Sequence, residues 1–273
     1  MKKTFYDLWD NLFRIMALNL GFWLSLSAAF VLPPLVVRLA AAGAAGAAAE
    51  TGGAAGLGLA LFCILLYWLC VYLCAAAAAV QNASEYRGMT LGDFAAHLKS
   101  ALVPGVILFT AGALICALAG GAIRYLGYGS LTLKTAAFFS CWLCLGILGI
   151  IQFYPAAFFR SGGSSPQRKP LGTLKKCAVF FFDNPGFCLF SLFFTLALPA
   201  LILPCPCWSL LFLDEGFRLR TLKYRLPREE AGQLRDSPGQ NRKGQIDWDA
   251  ILAEEKEKTG DRTWRDFLFP WKE

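Results

Sequence analysis

Two acidic residues, Asp214 and Glu215, lie at the end of an apolar stretch and directly before a run of basic residues. This segment, residues 208–230, reads WSLLFLDEGFRLRTLKYRLPREE. On one helix each acid lies three or four residues before Arg218 and can pair with it. Because burying a charge in a membrane is costly, an ionisable residue there is a candidate for function. Asp214, Glu215 and Arg218 therefore form a candidate intramembrane polar cluster.

The other chemistry-bearing residues do not form a catalytic or metal-binding pattern. His97 is the only histidine, no HExxH motif is present, and Cys205 and Cys207 have no second cysteine pair, so we expect no zinc site. The simpler interpretation of these two cysteines is a turn with small side chains. Intramembrane hydrolysis would need paired acids, and nothing in the sequence brings Asp183 and Asp214 together. We expect a protein that is not an enzyme and uses no cofactor or metal.

Composition indicates a membrane protein with a water-soluble end. The 273 residues are 56% hydrophobic and 16% charged, with a mean hydropathy of +0.49. Soluble domains are about 45–50% apolar and about 25% charged. Residues 1–213 carry 13 basic and 6 acidic residues, and residues 214–273 carry 13 of each. The whole net charge of +7 therefore lies in the apolar part, which is followed by a charge-balanced tail.

The apolar runs predict an all-α polytopic transmembrane helix bundle of five or six spans within residues 1–226. About 20 residues at 1.5 Å each are needed to cross about 30 Å of hydrocarbon. Pro33 and Pro34 are expected to kink or end the first span, and residues 38–56 to form a flexible Ala/Gly loop. The predicted spans cover about residues 17–37, 57–80, 101–123, 135–159, 186–203 and 207–224.

Three connectors carry local signals. Thr90 followed by Asp93 is typical of a helix start ahead of the third span. Residues 160–176, rich in glycine, serine, proline and basic side chains, indicate a loop. The DNPG segment at 183–186 is expected to break a helix, with Asp183 as part of a polar cap.

Basic residues predict the orientation, because cytoplasmic flanks of membrane spans are enriched in lysine and arginine. With the N-terminus inside, ten basic residues flank the inner ends of the spans and three flank the outer ends. The inner set is Lys2, Lys3, Arg14, Arg87, Lys99, Arg160, Arg168, Lys169, Lys175 and Lys176, and the outer set is Arg38, Arg124 and Lys134. We predict a multi-pass protein of the cytoplasmic (inner) membrane with a cytoplasmic N-terminus.

The last apolar segment, 177–213, leaves two arrangements open. Five spans would place Arg218 and the basic residues after it outside, against the positive-inside rule. A crossing by 207–224 would place them inside, and would put Asp214 and Glu215 part-way into the membrane at about 2.5–3.5 kcal/mol for a central acid. Pairing with Arg218 and shelter by other helices would reduce that cost. We favour six helices, a turn at the outer surface near Cys205, and a cytoplasmic C-terminus.

The polar end of the chain is predicted to be a linker over residues 227–245 and an amphipathic, partly helical cytoplasmic tail over residues 246–273. Aromatic residues beside basic ones are typical of the membrane interface. The candidate interface anchors are Trp264, Phe267, Phe269 and Trp271. Packing of these residues onto the cytoplasmic face of the protein itself is an equal alternative, and a partner-binding peptide is a third.

Several segments together resemble the YesL-like family of bacterial membrane proteins, over roughly residues 5–226. They are LNLGFWLSLSAAFVLPP, MTLGDFAAHLKSALVPGVILFTAGAL, FYPAAFFR, LGTLKKCAVFFFDNPGFCLFSLFF and GFRLRTLKYR. The resemblance implies an all-helical fold of about five or six spans and no established activity. Family members often accompany carbohydrate-uptake genes, which implies a role in transport or its regulation by association.

The functional prediction is accordingly a non-catalytic accessory or regulatory membrane component, associated with solute (carbohydrate) transport. The alternative is a small transporter or channel subunit with a polar path near the last helix, in which Gln152 could take part. The expected partners are the lipid bilayer and either a membrane transporter complex or further copies of the chain, with no nucleic acid.

Overall fold

The computed structural model describes residues 11–43, 51–85, 89–128, 130–160, 170–201 and 206–234. Within these ranges the chain is helical apart from short turns and contains no strand, which confirms the all-α prediction. The helices are α1 (Leu12–Gly43), α2 (Thr51–Ser84), α3 (Leu91–Tyr128), α4 (Leu131–Ile151), α5 (Tyr154–Arg160), α6 (Pro170–Asp183), α7 (Pro185–Leu201) and α8 (Pro206–Leu234).

Four long apolar helices form a membrane-spanning bundle. The segments long and apolar enough to cross a membrane are Leu12–Ala40, Ala55–Ser84, Leu91–Gly127 and Leu131–Arg160, the last joining α4 and α5. The first four predicted spans are therefore present, and each of these four segments is longer than predicted. A fifth span would result only if the bent pair α6–α7 counted as one. The fold is that of a polytopic membrane protein.

The first span does not end at its prolines, and the loop expected after it is mostly helical. Pro33 and Pro34 lie inside α1, which continues to Gly43, and α2 begins already at Thr51. Most of the expected Ala/Gly loop is thus helical, because alanine is the strongest helix former and a backbone in lipid must satisfy its own hydrogen bonds. Only residues 44–50 lie between the two helices, outside the described ranges.

The predicted start of the third span is confirmed. The Thr90 backbone N–H donates to the Asp93 carboxylate over 2.9 Å, and the Asp93 N–H donates to the Thr90 hydroxyl over 3.1 Å. This reciprocal pair is a capping box, which satisfies two of the amides that a helix start leaves without partners. It fixes where α3 begins.

The predicted break at DNPG is also confirmed, whereas the loop predicted before it is partly wrong. The axes of α6 and α7 differ by 105° across Asn184. However, α6 begins at Pro170, inside the segment interpreted as a loop. A proline at the first position of a helix is favourable, since the amide that it lacks would have had no partner there.

The centre of the bundle is α2, whose alanine run Ala75–Ala79 is buried. Small side chains let neighbouring helices approach closely, as is common in membranes. One side of α2 shares a buried cluster with α5, α6 and α8, including Phe153, Cys177 and Phe217, and the other side shares a second cluster with α1 and α8. The last helix therefore contributes to both clusters.

The last helix, α8, is present over the predicted range 207–224. It is not among the described helices that are long and apolar enough to cross a membrane by themselves. The sixth crossing and the turn near the outer surface therefore stay predictions. The first turn of α8 lies against the first span, where the Cys207 backbone N–H donates to Asn19 Oδ1 over 3.1 Å. The helix also continues to Leu234, into the predicted linker.

Candidate functional site

Polar residues from three helices meet at one end of the bundle. Because α2 and the α4–α5 segment are separated by the single antiparallel span α3, their C-terminal ends lie at the same end of the bundle. Helix α8 packs against the C-terminal ends of both segments. The resulting polar cluster consists of Ser84, Glu85, Arg160, Asp214, Glu215 and Arg218.

The carboxylate of Asp214 is the centre of the polar cluster. The residue is 1% exposed, and its two oxygens face the guanidinium of Arg160, whose Nε lies 2.6 Å from Oδ1 and whose Nη2 contacts Oδ2. The Ser84 hydroxyl donates to Oδ2 over 2.6 Å, and its own oxygen accepts from Arg160 Nη2 over 2.6 Å. A two-pronged arginine–carboxylate pair is among the strongest polar contacts in proteins.

Arg218 connects the last helix to the end of α2. Its Nη1 donates to the backbone carbonyl of Ser84 over 2.8 Å and lies 3.7 Å from Glu215 Oε1. The last carbonyls of a helix have no partner within the helix and carry partial negative charge. The arginine therefore caps α2 while it pairs with Glu215, which is 4% exposed.

Glu85 lies at the solvent edge of the polar cluster. Its Oε1 is 3.6 Å from Arg160 Nη1 and accepts a 2.9 Å hydrogen bond from Gln81 Nε2. The Glu85 side chain is 31% exposed, whereas those of Asp214 and Arg160 are 2% and 14% exposed. The burial of charge thus decreases from Asp214 outwards to Glu85.

The structure brings the three predicted residues together but changes one pairing. Glu215 and Arg218 are neighbours along α8, as the spacing indicated. Asp214 pairs with Arg160 instead of Arg218. Sequence reasoning had placed Arg160 in a solvated loop, although it ends an apolar run in FYPAAFFR. The available signal was the single arginine at the end of this span, together with the two acids that precede the basic residues of the last helix.

Both carboxylate oxygens of Asp214 accept hydrogen bonds from protein groups, Arg160 and Ser84. Asp183 ends α6 and is exposed, unlike Asp214. No group of three or more histidine, cysteine, aspartate or glutamate side chains suited to a metal occurs among the described residues. His97 packs its ring against Phe159, with centroids 5.7 Å apart.

Two asparagines of the first span make further contacts between distant segments. Besides the bond from Cys207 to Asn19, the Asn11 Oδ1 accepts from the Met89 backbone N–H over 3.4 Å. Both asparagines are buried. Cys207 is 1% exposed at the start of α8, while Cys205 lies outside the described residues.

The predicted interface anchors are not part of this site. Trp264, Phe267, Phe269 and Trp271 lie outside the described residues, as do the predicted tail and the linker beyond Leu234. Their role at the membrane interface stays a prediction.

No family model, curated protein or solved structure matches the chain. Its class therefore follows from the fold and the site alone: a multi-pass helical membrane protein with a buried, internally paired group of charges at one end.

Proposed function

We propose that the protein is a non-catalytic accessory or regulatory component of the bacterial inner membrane, with its N-terminus in the cytoplasm, and that it acts beside a solute transporter. The resemblance to the YesL-like family supports a carbohydrate as the solute class. We also propose that the polar cluster holds α8 against the other helices of the bundle.

The observation that carries the proposal is the pairing of Asp214. A residue that binds and releases an ion or solute needs ligand positions that exchange with that solute. Here Arg160 and Ser84 occupy both carboxylate oxygens, and Arg218 is engaged with Glu215 and the end of α2. These contacts stabilise the position of α8. A helix held in a fixed position can present a regulatory surface to a transporter.

A specific observation supports a small transporter or channel subunit as the second candidate. The fourth span is interrupted at Gln152 and Phe153, between α4 and α5. Gln152 Nε2 donates to the Cys188 carbonyl over 2.8 Å, while its buried Oε1 has no hydrogen-bond partner. Broken helices that carry polar groups near the bilayer centre are common in transporters.

Flux measurements on purified full-length protein in vesicles separate the two candidates. An accessory component moves no sugar by itself, but its deletion lowers carbohydrate uptake by cells that retain the transporter. Sugar flux through vesicles that contain this chain alone would overturn the proposal.

Paired variants test the role of the polar cluster. Asp214→Asn and Glu215→Gln should lower the thermal unfolding midpoint in detergent, whereas Arg38→Gln at the opposite end should not. If instead flux falls while the unfolding midpoint stays unchanged, the charges line a path and the second candidate is correct.

A further inference from the structure

We infer that α6, α7 and the start of α8 form a re-entrant unit, which enters the membrane from the Arg160 end of the bundle, contacts the acyl chains of that leaflet, and leaves by the same end. This inference concerns how the last third of the chain meets lipid, and it does not rest on the proposed function.

Helix α6 runs antiparallel to the fourth span. The ring of Phe180 lies 5.1 Å from that of Phe153, and Phe181 packs directly on Gly149. Towards the C-terminus of α6, the residues that it contacts lie further from Arg160 and deeper in the bundle. The chain thus enters at the Arg160 end, and Phe181 reaches the level of Gly149, about 16 Å from Arg160 at 1.5 Å per residue.

Helices α7 and α8 form an antiparallel hairpin. Phe187 near the start of α7 packs on Gly216 of α8, and its ring lies 5.0 Å from the Arg220 guanidinium carbon. Further along α7, the Phe194 ring lies 4.6 Å from that of Phe212. Moving forward along α7 therefore means moving backward along α8. Because the axes of α6 and α7 differ by 105°, α7 does not continue the inward course of α6 across the membrane.

The start of α8 lies inside the bundle, at a depth that two chain lengths limit. Cys207 precedes Asp214, which lies at the Arg160 end, by seven residues, so Cys207 lies at most about 10 Å deeper than Asp214. The contact of Cys207 with Asn19 gives a second measure, since Asn19 lies about 12 Å along α1 from Asn11, which bonds to Met89 at the same end. Both lengths are less than half of the about 30 Å hydrocarbon thickness.

The outer surface of the unit suits acyl chains. Its exposed large apolar residues in the described part of the chain are Leu171, at the entrance, and Val179, Phe182, Leu189, Phe190 and Phe193. Phe193 is 72% exposed, while Cys188, Ser191 and Leu192 on the other side of α7 are buried. Apolar side chains at this level of the bundle lie beside the hydrocarbon of one leaflet, where exposure to lipid costs nothing.

The re-entrant arrangement also agrees with the distribution of basic residues along the chain. With four crossings and a re-entrant unit, Arg218, Arg220 and the basic residues after them lie on the same side as the N-terminus. The positive-inside pattern is then satisfied without moving Asp214 and Glu215 across the membrane.

Labelling with a maleimide that does not cross membranes tests the inference in intact cells and in inverted vesicles. Ser130→Cys, between α3 and α4, should react from the outside, and Ser164→Cys from the inside; these two variants are the controls. We expect Gln240→Cys to react only from the inside, and native Cys205, followed by mass spectrometry, never to react from the outside.

Two results would overturn the inference. Reaction of Cys205 from the outside means that α7 and α8 are full spans, and reaction of Gln240→Cys from the outside means that α6–α7 is a single fifth span. As a positive measurement, Asn19→Cys should form an oxidative cross-link with native Cys207, whereas Leu20→Cys, whose position faces lipid at 63% exposure, should not. Absence of the Asn19→Cys cross-link would contradict the depth assigned to the hairpin.

Discussion

The first four spans and the last helix are attached to the bundle by different means. The spans α1 to α4 pack through small and apolar side chains, such as the alanine run of α2, and expose most of their large side chains to lipid. The last helix, α8, buries Asp214 and Glu215 and connects three helices through charges. Apolar packing in lipid has little hydrophobic driving force, whereas a buried charge without its partner is severely penalised. Single substitutions should therefore disturb the position of α8 far more than the positions of the four spans.

The largest effect is expected at the polar cluster. Asp214→Ala leaves the Arg160 side chain, which is 14% exposed, with only the more distant and more exposed carboxylate of Glu85. Breaking a buried pair by removing one partner costs about 3–5 kcal/mol. The thermal unfolding midpoint in detergent should fall strongly, and a midpoint within the error of the wild-type value would show that the pair contributes nothing to holding α8.

Next in size is a substitution in the spans themselves, at the contact of α3 with α2. A Cβ on Gly105 would lie 3.2 Å from the backbone N and Cα of Val71, which cannot move aside independently. Gly105→Ala should destabilise by about 1–3 kcal/mol through overpacking. Gly112→Ala on the same helix meets no atom within 4 Å and is the matched control. Equal unfolding midpoints for the two variants would contradict the close approach of α2 and α3.

A comparable or smaller loss is expected where the last helix contacts the first span. Asn19→Ala removes the acceptor of the buried Cys207 N–H, and an unsatisfied buried donor costs about 1–3 kcal/mol. Ser140→Ala is the control, because that exposed hydroxyl bonds only to the Ala136 carbonyl of its own helix. Hydrogen–deuterium exchange at the start of α8 should increase in the first variant alone; unchanged exchange would show that this bond does not hold the helix.

The smallest effect is expected on the lipid-facing side of the fourth span. Phe139 is 65% exposed, so Phe139→Leu keeps an apolar surface towards the hydrocarbon and changes no buried contact. The unfolding midpoint should stay within about 0.5 kcal/mol of wild type. A large loss would mean that this face packs against another protein or a second copy.

The difference between the four spans and α8 also explains which features could be predicted from the sequence. Apolar length predicts a span directly, so the first four were found, and Thr90 with Asp93 fixed the start of α3 because a capping box is a local signal. Arg160 is 54 residues from Asp214, and no local pattern shows that they meet. The charges do not distinguish a sixth span from a re-entrant hairpin at α8, because the positive-inside rule reports only the side of a segment and both arrangements satisfy it equally.

A double-mutant cycle on Arg160 and Asp214 tests the central claim most directly. Arg160→Met and Asp214→Leu should each destabilise strongly. The double variant removes both members of the buried pair and leaves only the partly exposed Glu85 without Arg160, so it should recover much of the loss. We predict a coupling energy of about 2 kcal/mol or more from the unfolding free energies in detergent. Strictly additive losses would show that the two residues do not hold α8 to the bundle together, and would contradict the account.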